Sequence, residues 1–158
     1  MRYLSSQITF QEVPDEISLS FLITGCSLKC PGCHSVDSWN PQIGTELNIS
    51  NLDNLILKSK DAITCVLFMG GEWEHDELLV LLKHCRKYNL KTCLYTGLDD
   101  VSALLKQELT YLKTGSWEKN LGGLSSKTTN QKLIELKTGM VLNFHYTAHG
   151  GHYGQADI

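Results

Sequence analysis

The 158-residue sequence has no long apolar run and no excess of basic residues. No stretch approaches the length of a transmembrane helix, and residues 1–7 lack the apolar core of a signal peptide. The net charge of -3 argues against a general affinity for nucleic acid or anionic membranes. These absences predict a cytoplasmic protein with no nucleic-acid or membrane partner, and the length suits a single domain spanning residues 1–158.

The sequence also lacks the marks of several familiar protein classes. It has no glycine-rich phosphate-binding loop and no hydrolase nucleophile motif. Its six cysteines could in principle pair as disulfides. Because no secretory signal accompanies them, we expect a reducing compartment and free or metal-bound thiols.

Three of the cysteines, Cys26, Cys30 and Cys33, lie close together in a loop that follows a predicted strand. In a curled loop, their spacings of four and three residues can turn three sulfurs toward one centre. Iron–sulfur clusters favour thiolate ligands and usually have four of them. Structural zinc sites also have four ligands. Three ligands leave a metal position open, so the motif predicts a metal centre that binds and transforms a small molecule.

Two alternatives to a catalytic metal centre remain open. A zinc-stabilised binding module could use the three cysteines with His34 or a histidine of the C-terminal tail. His34 adjoins Cys33, however, and would be strained in binding the same ion. A simple electron carrier would also have a cluster, but it would perform no further chemistry.

A second motif, Gly70-Gly71-Glu72, ends the next long strand of the predicted sheet. Two glycines allow a ligand to approach the backbone closely, and a carboxylate can accept hydrogen bonds from an ammonium group. Alone, the motif is also typical of an ordinary turn. Its position one βα unit after the cysteine loop favours a ligand site, because sites of α/β proteins gather at the carboxyl ends of parallel strands.

Several other chemically versatile residues have simpler interpretations. Cys65, Cys85 and Cys93 fall in predicted strands and on an apolar helix face, so we expect them to pack in the core. Trp39 and Trp73 flank the two motifs and could either pack in the core or line a pocket. The tail over residues 148–158 is rich in glycine and histidine and is predicted to be mobile. The histidines of this region are expected to be solvated or to contact a partner. They are His149 and His152 in the tail and His145 just before it.

The periodicity of apolar residues predicts an α/β fold. Strands are predicted over 17–23, 63–69, 90–95 and 109–112, and a hairpin over 133–136 and 140–146. Predicted helices begin near Ser50, near Glu74 and after Asp99 or Asp100, and residues 120–131 are predicted to form a loop. The alternating order indicates a mainly parallel sheet with right-handed crossovers. The chain is too short for eight βα units, so we expect a partial, open barrel.

With both motifs in place, the sequence resembles the radical S-adenosylmethionine superfamily, which combines Cys-x-x-x-Cys-x-x-Cys after the first strand with Gly-Gly-Glu after the second. More narrowly, it resembles the activating proteins of anaerobic ribonucleoside-triphosphate reductases. The similarity covers most of residues 17–136. Four stretches carry it: Thr24–His34, Phe68–Trp73, Leu94–Gly97, and the segment 112–131 with its Gly-Gly-Leu and Thr-Thr-Asn-Gln sequences.

The resemblance implies a cofactor set and a reaction. Cys26, Cys30 and Cys33 would hold a 4Fe–4S cluster, and its open iron would bind the amino and carboxylate groups of S-adenosylmethionine. Glu72, with the backbone of Gly70 and Gly71, would lie beside the amino group. The nucleoside side would be lined by Tyr95, Thr96 and Gly97. No catalytic residue beyond the cluster ligands is implied.

The resemblance also implies partners. A low-potential electron donor would reduce the cluster, and the large subunit of the anaerobic reductase would be the protein substrate whose glycine becomes a radical. A sister interpretation keeps this chemistry and changes the target to another glycyl-radical enzyme or to a small molecule.

Overall fold

One mixed sheet organises the protein. The structure, a computed structural model, describes residues 1–148, and in that range eight strands lie in the order β3-β1-β2-β4-β5-β6-β7-β8. The central strands β2, β4, β5 and β6 pair in parallel, and antiparallel strands flank them on both sides. The strand bounds are β1 Arg2–Thr9, β2 Ser18–Ile23, β3 Thr45–Glu46, β4 Cys65–Met69, β5 Lys91–Tyr95, β6 Tyr111–Thr114, β7 Lys132–Glu135 and β8 Met140–Val141.

The sheet is not closed, because β3 and β8 occupy its opposite edges. The predicted α/β class with a parallel centre is confirmed, and the open sheet is compatible with the predicted partial barrel. The helices are α1 Ile49–Ser59, α2 His75–Arg86, α3 Ala103–Glu108 and α4 Phe144–Ala148, with short 3-10 helices at Val36–Trp39 and Glu72–Glu74. No helix in residues 1–148 combines the length and apolar character that crossing a bilayer requires.

Both faces of the parallel strands are buried, as their continuous apolar sequences predict. One face, here the helix face, packs Phe21, Phe68 and Leu94 against the apolar stripes of α1, α2 and α3. The opposite face, here the inner face, holds smaller and more polar residues, and it is covered by Val13 and Leu142. The three cysteines expected in the core are buried: Cys65 and Cys93 on the inner face and Cys85 on the helix face.

Helices α1, α2 and α3 begin close to their predicted starts, but the residues expected to cap α1 and α3 do not cap them. Asn48, rather than Ser50, caps α1, because its side-chain oxygen accepts the Asn51 N–H at 3.0 Å. Ser102 caps α3 by accepting the Leu105 N–H at 3.2 Å. Asp100, a predicted cap, accepts hydrogen bonds from the Val101 N–H and from Lys106 instead. Where several Asn, Ser and Asp residues precede a helix, each can cap it, and tertiary packing decides which one does.

Two further differences concern the ends of the chain, and one prediction there is not tested. Strand β1 was not predicted, because its residues alternate only weakly and it lies near the sheet edge. The predicted hairpin forms between β7 and β8, but residues 144–146 belong to α4 rather than to the second strand. Residues 149–158, with most of the predicted mobile tail and the histidines 149 and 152, lie outside the described residues.

Candidate functional site

The two sequence motifs meet at one edge of the sheet. Strand β2 leads into the cysteine loop and the neighbouring β4 leads into Gly70-Gly71-Glu72. The last paired residues of the four parallel strands align across the sheet as Leu22, Met69, Tyr95 and Lys113. The carboxyl ends of all four strands therefore form a single rim, which is where parallel α/β proteins place their binding sites.

Trp73 packs between the two motifs. A Cβ atom on Gly70 would lie 2.5 Å from the indole Cη2, and one on Gly25 would lie 2.9 Å from its Nε1. Both glycines have positive φ, and the Trp73 Nε1–H donates to the Thr24 carbonyl at 3.1 Å. The ring packs against the helix-face core. Of the two interpretations left open for Trp73, core packing is therefore correct, and the glycines are needed to accommodate it.

Backbone hydrogen bonds curl the cysteine loop. The Ser38 carbonyl accepts from the N–H groups of Gly25 and Cys26, at 2.7 and 3.4 Å. The Cys33 N–H donates to the Cys30 carbonyl at 3.1 Å, and the Ser35 N–H donates to the Cys33 sulfur at 3.4 Å. All three loop cysteines are partly exposed, and none of the six cysteines forms a disulfide. The loop thus presents three free sulfurs at the rim.

The donor set fits an iron–sulfur cluster better than a single metal ion. Within residues 1–148, no three His, Cys, Asp or Glu side chains are placed to share one ion. A cluster does not require that, since each thiolate binds a different iron and the sulfurs stay apart. The amide of Ser35 donating to the Cys33 sulfur is also the kind of contact that supports cluster ligands. The loop therefore suits a 4Fe–4S cluster.

Glu72 has one satisfied and one unsatisfied oxygen. Its Oε1 accepts a hydrogen bond from the Thr96 hydroxyl at 2.5 Å, so two of the predicted site residues are in contact. Its Oε2 is buried and has no partner among the described residues. Burial raises the pKa of the Glu72 carboxyl, although the bond from Thr96 opposes this effect. A buried acceptor without a donor is costly, so this oxygen is suited to receive one from a ligand.

Tyr95 and Gly97 lie on the same rim, but each contacts protein groups. The Tyr95 hydroxyl donates to the backbone carbonyl of Glu12, and burial raises the pKa of this phenol. A Cβ on Gly97 would lie 2.4 Å from the Cδ1 of Leu28, so the cysteine loop rests on this glycine. Their role beside a nucleoside stays a prediction.

Lys113 is a rim residue that the sequence interpretation missed. It ends the pairing of β6, and burial lowers the pKa of its ammonium group to about 8, while the charges of Cys30 and Glu72 act in the opposite direction. Its Nζ donates to the Gly115 carbonyl at 2.9 Å. A lysine among the apolar residues at the end of a central strand was the available signal, because lysine is rarely buried without a role.

Trp117 is a second missed residue. Its ring meets the His34 ring edge-on, with centroids 5.0 Å apart and an interplanar angle of 81°. Its Nε1 is buried and lacks a partner among the described residues, as does the Nε1 of Trp39. The sequence of segment 112–131 predicted a loop and carried a family resemblance but indicated no contact, and the structure packs Trp117 of this segment against the cysteine loop.

Comparisons with known proteins point to the same region of the chain. Residues 17–116, more than half of the chain, match the family described as 4Fe-4S single cluster domain. A stretch of 79 residues is 33% identical to the pyruvate formate-lyase-activating enzyme of Clostridium pasteurianum. This stretch covers 46% of the chain and 33% of that enzyme, so the similarity spans about a third of the relative's length.

Proposed function

The chain belongs to the family of 4Fe-4S single cluster domains, and from that premise we propose that it is a radical S-adenosylmethionine enzyme that activates a glycyl-radical enzyme. More specifically, we propose that its target is the large subunit of an anaerobic ribonucleoside-triphosphate reductase. The similarity to the pyruvate formate-lyase-activating enzyme of Clostridium pasteurianum supports activation of a glycyl-radical enzyme in general. The late Gly-Gly-Leu and Thr-Thr-Asn-Gln stretch supports the reductase in particular.

The observation that carries the proposal is the buried, unpartnered Oε2 of Glu72 on the same rim as three free cysteines. An N–H group of a positively charged or metal-bound amine satisfies a buried carboxylate oxygen well. S-adenosylmethionine has such an amine on its methionine part, where it would also bind the open iron. The rim therefore offers complementary contacts to both ends of that amino acid.

The residues of the rim divide the work of binding. Cys26, Cys30 and Cys33 would hold the 4Fe–4S cluster, and Glu72 would accept a hydrogen bond from the amino group of S-adenosylmethionine. Lys113 provides a positive charge on the same rim for the substrate's carboxylate. Thr96 fixes the orientation of Glu72 through its 2.5 Å hydrogen bond.

The chemistry belongs to the bound group: a reduced 4Fe–4S cluster would supply the electron for reductive cleavage of S-adenosylmethionine, and the cleaved adenosyl fragment would take a hydrogen atom from the partner's glycine. The chain's contribution is to hold the reacting atoms near contact distance and to exclude water. The three loop cysteines are partly exposed, so a segment of another protein can reach the rim.

A second target is favoured by a specific observation. The relative from Clostridium pasteurianum is named for pyruvate formate-lyase, so activation of that enzyme is the alternative within the same chemistry. A low-potential electron donor is required in either case, and free thiols on all six cysteines are consistent with a reducing cytoplasm.

The proposal is tested by anaerobic reconstitution with iron and sulfide, followed by dithionite and S-adenosylmethionine. We expect about four irons per chain, release of 5′-deoxyadenosine, and a glycyl-radical signal in electron paramagnetic resonance when the reductase subunit is added. A parallel sample with pyruvate formate-lyase distinguishes the two targets. A cluster without 5′-deoxyadenosine would leave only the electron carrier, and one tightly bound zinc would leave only the binding module.

A further inference from the structure

The indole N–H of Trp117 is a buried donor without an acceptor. An indole N–H donates hydrogen bonds and cannot accept them, so it has only one way to be satisfied. Its Nε1 is inaccessible to solvent and has no partner among the described residues. Since a desolvated donor without an acceptor is unfavourable, an acceptor brought by a bound group would stabilise this arrangement.

The surroundings of Trp117 indicate which group that is. A Cβ atom on Gly32 would lie 3.7 Å from the indole Nε1, so the nitrogen faces the backbone between Cys30 and Cys33. The neighbouring His34 ring contacts the indole edge-on. The acceptors that a cluster would add to this loop are its thiolate and sulfide sulfurs.

The indole is also held in place from behind. The carbonyl of the preceding residue, Ser116, accepts hydrogen bonds from the Asn130 and Gln131 side chains at 3.0 and 3.3 Å. A Cβ on Gly123 would lie 3.7 Å from the indole Cζ3, so the late loop packs against the ring. A donor positioned this firmly can make one directed contact.

We propose that the Nε1–H of Trp117 donates a hydrogen bond to a sulfur of the 4Fe–4S cluster and thereby raises the cluster's reduction potential. This inference rests on the proposed function for the presence of the cluster. Reduction adds negative charge to the sulfurs, so a donor stabilises the reduced form more than the oxidised form. Trp117 is therefore a positioning and tuning residue for the cluster, with no contact to the reacting glycine required.

The variant Trp117→Phe removes the N–H and keeps an aromatic ring against His34 and Gly32. We expect the reconstituted variant to retain its iron and its fold by circular dichroism, and its midpoint potential in a redox titration to shift to a more negative value. Trp39→Phe is the matched control, because the Nε1 of Trp39 is also buried without a partner among the described residues, but only Trp117 comes within 4 Å of a Cβ on Gly32. Its potential should equal that of the unmodified protein.

An unchanged potential in Trp117→Phe, or an equal shift in Trp39→Phe, would overturn the inference. If Trp117→Phe does not hold a cluster, pulsed electron paramagnetic resonance on the unmodified protein decides instead. With tryptophan labelled by ¹⁵N in the indole ring, we expect a nitrogen coupling to the reduced cluster that persists in Trp39→Phe, and its absence would overturn the inference. Failure of the unmodified protein to assemble any cluster would refute the proposed function, whereas a cluster that is insensitive to Trp117 refutes this inference alone.

Discussion

Two buried carboxylates at opposite ends of the same parallel strands differ in how completely the protein satisfies them. Glu16, at the amino ends, is only 4% exposed and accepts hydrogen bonds at both oxygens. Its donors are the Lys91 ammonium and, at 2.8 and 2.6 Å, the Tyr111 and Thr64 hydroxyls. Glu72, at the carboxyl ends, finds a donor for only one of its oxygens among residues 1–148.

The comparison distinguishes charged groups that stabilise the fold from charged groups that are suited to bind a ligand. At the amino ends, the Glu16 carboxylate raises the pKa of Lys91, and the group is complete without a ligand. At the carboxyl ends, burial lowers the pKa of Lys113 to about 8 and raises that of Glu72, so both charges are held in unfavourable surroundings. Charges kept in this condition are typical of sites that bind and transform a substrate.

The largest expected effect comes from the cysteines of the rim. Replacing Cys26, Cys30 or Cys33 with alanine should abolish cluster assembly and cleavage of S-adenosylmethionine, because each removes one of only three ligands. The iron content and the visible absorbance of anaerobic preparations measure this. Cys93→Ala on the buried inner face is the control; it should lower stability and keep the iron, and loss of iron there would contradict the ligand assignment.

The next effect concerns the unsatisfied carboxylate. Glu72→Gln should weaken binding of S-adenosylmethionine by roughly 10- to 100-fold, because a hydrogen bond to a charged group is worth about 1.5–3 kcal/mol. Iron content should stay unchanged. Equilibrium binding to the reconstituted protein measures the affinity, and equal affinities of the variant and the unmodified protein would remove Glu72 from the binding site.

The same substitution at the other end should act on stability instead. Glu16→Gln should lower the free energy of unfolding by about 1–3 kcal/mol, because it leaves buried polar groups unsatisfied. Lys91 adds little to this, since half of its side chain is exposed and solvent screens the ion pair. Glu72→Gln is the matched variant and should leave stability unchanged or higher. Urea unfolding under identical conditions measures both, and equal losses would erase the distinction between the two ends.

The smallest expected effect is a difference in pH dependence. The pKa of Glu72 is raised in the folded protein, so its contribution to stability is fully present below the unfolded pKa of about 4.3 and is lost as pH rises through the folded pKa. As pH rises through the weakly acidic range, the free energy of unfolding of Glu72→Gln should therefore fall less steeply than that of the unmodified protein. Urea unfolding of both proteins at several pH values in that range measures this difference. Identical slopes of the free energy of unfolding against pH would show that Glu72 is not buried in solution.

The order of elements was readable from the sequence because each central element has a clear pattern. The continuous apolar run that becomes β4 and the stripe of Leu78, Leu81 and Leu82 on α2 leave little choice of structure. The helix caps were not readable, since Asn48 and Ser50 both offer a side-chain oxygen near the start of α1. Strand β1 was missed because pairing with β2, rather than its own pattern, makes it a strand.

The site was predictable where its residues come directly after a strand. The cysteine loop and Glu72 follow β2 and β4, so their meeting requires only that these strands are neighbours in a parallel sheet. Lys113 was missed although it ends a central strand in the same way. The place of Trp117 depends on how the loop after β6 folds over the rim, which no local pattern specifies.

The packing of Trp73 between the two motifs limits how this site can be redesigned. Because its indole packs against both Gly25 and Gly70, the connections that follow β2 and β4 are held together by one side chain. A side chain added at either glycine would displace the ring from both, so damage should spread from one connection to the other. Moving the cysteine loop into a different scaffold would therefore succeed only when Gly25, Gly70 and Trp73 are transferred together.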